Sequence, residues 1–134
     1  MKSNFSYLLL FEKTVPLLYN SKWTRVKYAK EKKIMSLTIN IYYTGQNGSA
    51  REFAKEMIES GLVDRIRKEE GNERYEYFFP IEDEETLLLI DRWKNEEALD
   101  LHHKSGMMKE IADLRNKYNL KMRVQKFTDW EEKE

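Results

Sequence analysis

Four segments of the chain combine alternating or clustered apolar residues with β-branched and aromatic residues, a pattern typical of β-strands. In the first, residues 37–43, one face carries Leu37, Ile39, Ile41 and Tyr43, and the opposite face carries Thr38, Asn40 and Tyr42. The second covers residues 74–79 and ends at Pro80 and an acidic loop. The third and fourth cover residues 87–93 and 120–127. The pattern therefore predicts four strands.

Helical periodicity fills the first gap between these strands. Ser49 and Glu52 match a capping box, which predicts that a helix begins at Ser49. Its apolar stripe is formed by Phe53, Met57 and Ile58. Gly61 is expected to interrupt this helix, and Gly71 to end the helical region that resumes after it.

A second helical region lies between the third and fourth strands. Asn95 is a predicted cap for a short helix that carries His102 and His103, and Ser105 is a predicted cap for the next. In that next helix one face is formed by Met107, Ile111, Leu114 and Tyr118. Asn119 is expected to end it before the last strand.

The predicted order β-α-β-β-α-β is that of the ferredoxin-like, split βαβ motif, an α+β fold with helices on one face of an antiparallel sheet. The other face also needs a cover, because an exposed apolar sheet would aggregate. A second copy of the sheet is the simplest cover, so we expect a homodimer that forms a dimeric α+β barrel with an apolar cavity in each subunit. The candidate residues of this second face are Thr38, Asn40, Tyr42, Tyr75, Tyr77, Leu89 and Trp93.

Charge and composition exclude several classes of function. The 24 basic and 24 acidic residues give a net charge of +0, which provides no field to hold nucleic acid. The longest apolar run near the start, residues 7–11, is too short for a signal sequence or a membrane span. The cysteine count of 0 excludes disulfides, thiolate zinc sites, iron–sulfur clusters and a cysteine nucleophile. We expect a cytoplasmic protein with no nucleic-acid or membrane partner.

A change in composition at Met35 predicts a domain boundary, with residues 1–34 as an N-terminal extension and residues 35–134 as the domain. Residues 22–33 contain six basic residues and a single acid, Glu31, and Pro16 breaks the only earlier apolar stretch. Two interpretations are open. The extension is an arm that docks through residues such as Tyr7 and Phe11, or it is untranslated or disordered because synthesis starts at Met35.

Motifs for dinucleotides, nucleoside triphosphates, zinc hydrolysis and serine hydrolysis are missing from the sequence. The two histidines, His102 and His103, are adjacent, and consecutive helical residues point about 100° apart, so they are badly placed to chelate one metal. No metal site is predicted. One of the two can face an interior cavity while the other meets solvent.

Residues 68–114 resemble the antibiotic-biosynthesis monooxygenase superfamily. The similarity consists of an E-E-G-x-x-x-Y element, an apolar strand that closes in an acidic residue and a tryptophan, and A-L-x-x-H followed by a serine and a helix. These positions are Glu69, Glu70, Gly71, Tyr75, Asp91, Trp93, Ala98, Leu99, His102 and Ser105. The resemblance covers residues 35–128 and implies the dimeric α+β barrel.

Within that superfamily the chain is most similar to small quinol monooxygenases, which oxidise dihydroxy-aromatic compounds with dioxygen and without cofactor or metal. The resemblance implies His102 as general base, and Asn72 and Trp93 as further catalytic residues. Substrate contacts are expected from Asn40, Tyr42, Tyr75, Arg74 and Arg92. Trp93 and Tyr75 fit the core of a dimer equally well, and Asn72 fits a role in the turn after Gly71. Asp91 is expected to orient Arg92 or His102, or to cap the strand.

Three alternatives remain at this point. The E-E-G-N-x-R and A-x-x-x-H elements also resemble the member that isomerises a phosphorylated bacterial signalling sugar, in which Arg74 or Arg92 would pair with phosphate. Haem-degrading members are matched only at Asn40, because His102 replaces their tryptophan and Ala112 their histidine. A dimeric small-ligand binder without turnover is the third.

Overall fold

The structure, a computed structural model, describes residues 35–131. Four strands and four helices follow one another in this part of the chain. They are β1 (Leu37–Thr44), α1 (Ser49–Glu59), α2 (Leu62–Arg67), β2 (Asn72–Phe78), β3 (Thr86–Trp93), α3 (Glu96–His103), α4 (Met107–Lys117) and β4 (Lys121–Thr128). The predicted N-terminal extension, residues 1–34, lies outside the described residues, so the boundary at Met35 stays a prediction.

The strands form one antiparallel sheet in the order β2-β3-β1-β4. Strands β1 and β3, which are separated in sequence by β2, are neighbours at the centre of the sheet. This order and the two helical crossovers confirm the predicted α+β, ferredoxin-like fold. Among residues 35–131, no helix is long and apolar enough to cross a membrane.

The helix boundaries confirm some of the predicted signals and correct others. Asn95 caps α3, and its side chain accepts a hydrogen bond from the amide of Ala98 at 2.8 Å. Gly61 separates α1 from α2 with a φ of 83°, and Gly71 precedes β2 with a φ of 90°. Asn119 ends the last helical region in the left-handed conformation with a φ of 52°.

Two predicted serine caps were wrong. Gly48, not a serine, is the N-cap of α1, and the Ser49 hydroxyl accepts instead from the backbone amide of Gln46 at 3.0 Å. At the start of α4 the N-cap is Gly106, while the hydroxyl of Ser105 is buried without a partner among the described residues. In both places a glycine directly before the helix takes the capping position that the serine was expected to fill.

The core lies between the helices and one face of the sheet. Helix α1 contributes Phe53 and Met57, helix α2 contributes Leu62 and Ile66, and all four are essentially inaccessible to water. Removing apolar side chains of this size from water is worth about 1.5–3 kcal/mol each, so this layer is the main stabilising element of the domain. The sheet presents to it Leu37, Ile39, Tyr43, Tyr75, Leu87, Leu89 and Trp93.

The pairing of the strands corrects the predicted assignment of faces. Trp93 lies opposite Leu37, and Leu89 opposite Ile41, so these β3 residues share the helix-covered face with the odd-numbered residues of β1. Tyr77 lies opposite Leu89 and belongs to the same face. Tyr75, Tyr77, Leu89 and Trp93 therefore do not lie on the uncovered face, as the sequence pattern suggested.

The uncovered face carries the even-numbered residues of β1 and β3, among them Thr38, Asn40, Tyr42, Leu88, Ile90 and Arg92. Phe78 on β2 and Phe127 on β4 extend it, with 40% and 47% of their surfaces exposed. This face mixes apolar and charged side chains, and no described element packs over it. We refer to it below as the open face.

Candidate active site

His102 is the buried histidine of the pair in helix α3. Its side chain projects toward the sheet and is 3% exposed, whereas the adjacent His103 is exposed to solvent. Burial and the neighbouring His102 lower the pKa of His103. One histidine is therefore buried and the other meets solvent, as expected, while a cavity beside His102 stays a prediction.

A carboxylate holds His102 from the turn that follows helix α2. Oε1 of Glu69 lies 2.6 Å from Nδ1 of His102. A carboxylate oxygen only accepts hydrogen bonds, so in a neutral ring the proton lies on Nδ1 and the lone pair on Nε2. Nε2 makes no hydrogen bond within residues 35–131, which leaves it available to accept a proton from a ligand.

The indole ring of Trp93 packs against this imidazole. The two rings are stacked with centroids 4.8 Å apart and planes 28° apart. Trp93 is completely buried, and its indole Nε1–H has no hydrogen-bond partner in the described chain. Because an unpaired buried donor costs about 1–3 kcal/mol, this N–H is a natural partner for an oxygen atom of a ligand.

Asp91 lies on the same face of β3, two residues before Trp93, and is 4% exposed. It accepts a hydrogen bond from Nδ2 of Asn72 at 3.3 Å. Burial raises the pKa of Asp91 to about 7, and the charge of Glu69 adds to this rise. The indole N–H of Trp93 and the Asn72 amide act in the opposite direction, although the indole N–H does not reach hydrogen-bond geometry with the carboxylate.

Three tyrosines continue the polar interior along the sheet. Burial raises the pKa of Tyr43 to about 12 and the pKa values of Tyr75 and Tyr77 well above their usual value. The rings of Tyr75 and Tyr77 meet edge to face at 5.8 Å, and the hydroxyl of Tyr77 is buried without a partner among residues 35–131. All three are therefore neutral hydrogen-bonding groups at physiological pH.

The structure brings four of the eight predicted site residues together. His102, Asn72, Trp93 and Tyr75 lie between the helices and the sheet, around Asp91. The other four, Asn40, Tyr42, Arg74 and Arg92, lie on the open face. A single ligand in the interior therefore does not contact both sets within one subunit.

The arginines of the open face already have acidic partners. Arg92 bonds both oxygens of Asp129 at 2.7 and 2.8 Å and also contacts Glu73 and Thr38. Arg74 pairs with Glu76. The expectation that Asp91 orients Arg92 or His102 was wrong, because its hydrogen-bond partner is Asn72 and the partner of His102 is Glu69.

Glu69 is the functional candidate whose role the sequence did not indicate. It belongs to the E-E-G element, but His102 lies in another helix, and no periodicity in the sequence links the two. A buried histidine needs a partner for its ring N–H, and this need together with nearby acids was the only available signal. Within residues 35–131 no group of three or more histidines and acids is arranged to hold a metal ion.

A separate groove of about 450 Å³ opens at one end of the open face. It is lined by Tyr42, Thr44, Pro80, Asp83, Thr86, Lys121, Met122 and Arg123. The guanidinium of Arg123 stacks over the ring of Tyr42 at 4.1 Å. This groove contains neither His102 nor its neighbours, so it does not belong to the interior cluster.

Residues 36–114 match the family model described as antibiotic biosynthesis monooxygenase, so the chain belongs to this family. Among curated proteins it is similar to YcnE of Bacillus subtilis (strain 168), named a putative monooxygenase. The two are 29% identical over 70 residues, which are 52% of this chain and 72% of YcnE. Family membership supports a monooxygenase-like role.

Solved structures share the fold. A conserved protein from Bacteroides thetaiotaomicron VPI-5482 matches with a TM-score of 0.64 and 18% identity, over 72% of this chain and 100% of its own. SnoaB, a cofactor-independent oxygenase from Streptomyces nogalater, matches with a TM-score of 0.61 and 13% identity, over 73% of this chain and 96% of its own. At these identities the comparison supports the architecture alone.

Proposed function

We propose that the protein is a cofactor-independent monooxygenase that oxidises a small quinol or a polycyclic hydroxy-aromatic compound with dioxygen, with His102 as the general base. One observation carries this proposal. The buried imidazole of His102 has Nδ1 fixed by Glu69 and Nε2 without a partner, so it is arranged to take a proton from a ligand.

Proton removal is the main task that a quinol sets for such an enzyme. A deprotonated quinol is electron-rich enough to pass an electron to dioxygen, so the protein supplies a base, partners for the substrate oxygens and a site that excludes water. Glu69 stabilises the imidazolium that forms when His102 accepts the proton. The Nε1–H of Trp93 and the hydroxyl of Tyr77 are two buried donors without a partner among residues 35–131.

An aromatic substrate also fits the surroundings of the base. In this interior the rings of Trp93 and His102 stack and the rings of Tyr75 and Tyr77 meet edge to face, and planar rings pack favourably against one another. Asn72 is placed to hydrogen-bond an oxygen of the substrate if it exchanges its contact with Asp91. Catalytic roles for Asn72 and Trp93 are part of the proposal.

The placement of the arginines argues against a phosphorylated sugar as substrate. Arg74 and Arg92 lie on the open face and are paired with acids, so neither is free to bind a phosphate near His102. The quinol remains the better substrate class, because it needs no cationic partner.

Two subunits are expected to pair through the open face, as a homodimer with facing sheets. Leu88, Ile90, Phe78 and Phe127 give this face an apolar content that a partner sheet would bury. In that arrangement Asn40, Tyr42, Arg74 and Arg92 would line the interface instead of the site around His102. The absence of cysteine is compatible with work in the cytoplasm.

Oxygen uptake against a panel of hydroquinones and naphthalenediols tests the proposed function. We expect uptake well above the rate of autoxidation, without added metal or flavin, and a hydroxylated quinone as product. Uptake no faster than autoxidation for every compound would contradict it. Binding of the same compounds without uptake would indicate a non-catalytic ligand-binding protein.

A further inference from the structure

Asp91 is the buried acid of the interior that the proposed mechanism leaves without a task. It lies opposite Ile39 on β1 and Tyr75 on β2, in the middle of the helix-covered face. A charged carboxylate in such a place is costly unless a cation or several donors compensate it. The groups around Asp91 therefore indicate whether its carboxyl group is charged or neutral.

The partners of Asp91 offset a negative charge only through neutral N–H groups, the Asn72 amide and the Trp93 indole. Within residues 35–131 no lysine, arginine or histidine nitrogen lies within ion-pair distance of its carboxyl group. Its hydrogen bond comes from the neutral amide of Asn72, at 3.3 Å. Glu69, by contrast, pairs with His102 at 2.6 Å. The geometry therefore favours a neutral acid at position 91 and a charged acid at position 69.

The surrounding titratable groups reinforce this difference. Glu69, in the turn before β2, acts electrostatically on Asp91. Asp91 in turn acts on three tyrosines, Tyr43 from β1 and Tyr75 and Tyr77 from β2. Helix α3 contributes His102, which stacks on Trp93. The negative charge of Glu69 disfavours a second charge on Asp91, and burial raises the pKa of Asp91 to about 7.

We propose that Asp91 is the proton donor of this site: it enters the reaction as a neutral carboxylic acid and protonates the hydroxide that leaves when the substrate peroxide breaks down. This inference rests on the proposed function. It gives the site a base and an acid whose environments differ, a pairing that allows both proton transfers at the same pH.

The proton and electron balance of the reaction has a place for such a donor at the step in which hydroxide leaves. His102 takes a hydroxyl proton from the quinol, a ring carbon forms a C–O bond with dioxygen, and the proton returns to give a hydroperoxide. In the next step His102 takes the proton from that same carbon. The electron pair of the C–H bond forms the new C=O bond while the O–O bond breaks.

Hydroxide leaves with the electron pair of the O–O bond, takes the Asp91 proton and departs as water. The proton held by His102 then restores Asp91. One quinol and one dioxygen thus yield one hydroxyquinone and one water. Trp93 stacks on His102 and shares the covered face of β3 with Asp91, so the proposed base and the proposed acid both lie beside this indole.

The first test is the infrared spectrum of the whole protein, which does not depend on turnover. A protonated buried carboxyl group has a carbonyl band that a carboxylate lacks. We expect this band at pH 6, its loss as the pH rises through about 7, and its absence from Asp91→Asn. Asp100→Asn, at an exposed acid of α3, is the matched control and should keep the band. Absence of the band from the wild-type protein at pH 6 would overturn the proposal.

The second test is the pH profile of oxygen uptake with 1,4-dihydroxynaphthalene. Uptake should fall on the alkaline side as Asp91 loses its proton, and Asp91→Asn should be slow and lack this alkaline limb, while Asp100→Asn retains it. An unchanged limb in Asp91→Asn would refute proton donation even if the infrared band is present. No uptake by the wild-type protein would refute the proposed function and the donor step together, and the infrared band would still decide whether Asp91 is neutral.

Discussion

Glu69 and His102 lie 33 positions apart in the sequence, yet Oε1 of one and Nδ1 of the other are 2.6 Å apart. The contact joins the turn after α2 to the last turn of α3. It fixes the orientation and tautomer of a ring that is otherwise surrounded by apolar and aromatic groups. The first two predictions follow from this pair.

Substitutions of the two histidines should have different effects on turnover. His102→Ala is expected to lower the turnover number by about 10²–10⁴-fold, because a positioned general base usually contributes that much. His103→Ala should leave turnover nearly unchanged, since this side chain is exposed. Steady-state oxygen uptake measures both. Equal effects of the two substitutions, or no effect, would show that His102 has only a structural role.

Replacing Glu69, the partner of His102, should slow proton removal from the substrate less strongly than replacing His102 itself. Glu69→Gln keeps the shape but removes the charge that stabilises the imidazolium, so we expect kcat to fall by about 10–100-fold with a smaller change in KM. Glu70→Gln is the matched control, because Glu70 is exposed and pairs with Lys94 instead. A similar loss in both variants would point to a general effect on the turn.

The pH dependence of stability provides a third prediction. Burial raises the pKa of Asp91 from 3.8 to about 7, so between these values the folded protein binds one proton more than the unfolded chain. The contribution of Asp91 to the free energy of unfolding therefore falls as the pH rises across this range. Asn at position 91 cannot ionise. The free energy of unfolding of Asp91→Asn should therefore rise relative to that of the wild-type protein, by up to about 4 kcal/mol between pH 4 and pH 8.

Urea unfolding at several pH values measures this difference. Asp100→Asn serves as the control, because an exposed acid should show no comparable trend. If the stabilities of Asp91→Asn and the wild-type protein differ by the same amount at every pH, Asp91 ionises as freely in the folded protein as in the unfolded one.

The oligomeric state is the fourth prediction. Light scattering should give the mass of a dimer at micromolar concentration. Leu88→Glu, on the open face, should shift it to a monomer, because it would bury a charge in the interface. Ile58→Glu, at a residue of α1 that is 55% exposed, should not. A wild-type monomer would exclude the facing-sheet arrangement.

Deletion of residues 1–34 tests the predicted domain boundary. Every strand and helix described here begins after residue 34, so the shortened protein should fold and retain oxygen uptake. Intact mass of the protein from its native cell would show whether synthesis begins at Met1 or Met35. If the deletion lowers the free energy of unfolding by several kcal/mol, the boundary is misplaced.

The sequence predicted the order of elements well because turns and helix ends are local signals. Gly61, Gly71 and Asn119 adopt positive φ values that few other residues tolerate, so their positions alone indicate where helical segments stop. The same reasoning failed at Ser49 and Ser105, since a glycine stands directly before each helix and a short pattern does not decide which of two good caps is used.

The covered face was harder to predict, because β3 is apolar at both parities. In β3, Leu87 and Leu89 alternate with Leu88 and Ile90, so periodicity does not identify the covered side. The polar Asp91 is buried on the same side as Trp93. Which side the helices cover is decided by contacts between distant segments, and so is the meeting of Glu69 with His102.

The alternation of inward and outward side chains in β3 also limits which insertions and deletions the protein can tolerate. Asp91 and Trp93 face the interior while Arg92 between them faces outward and bonds Asp129. Loss or gain of one codon upstream of them within the strand would exchange these positions, placing a guanidinium in the core and the acid and the indole outside. Insertions and deletions that preserve this site are therefore expected in the acidic loop before β3, and within the strand only in pairs of residues.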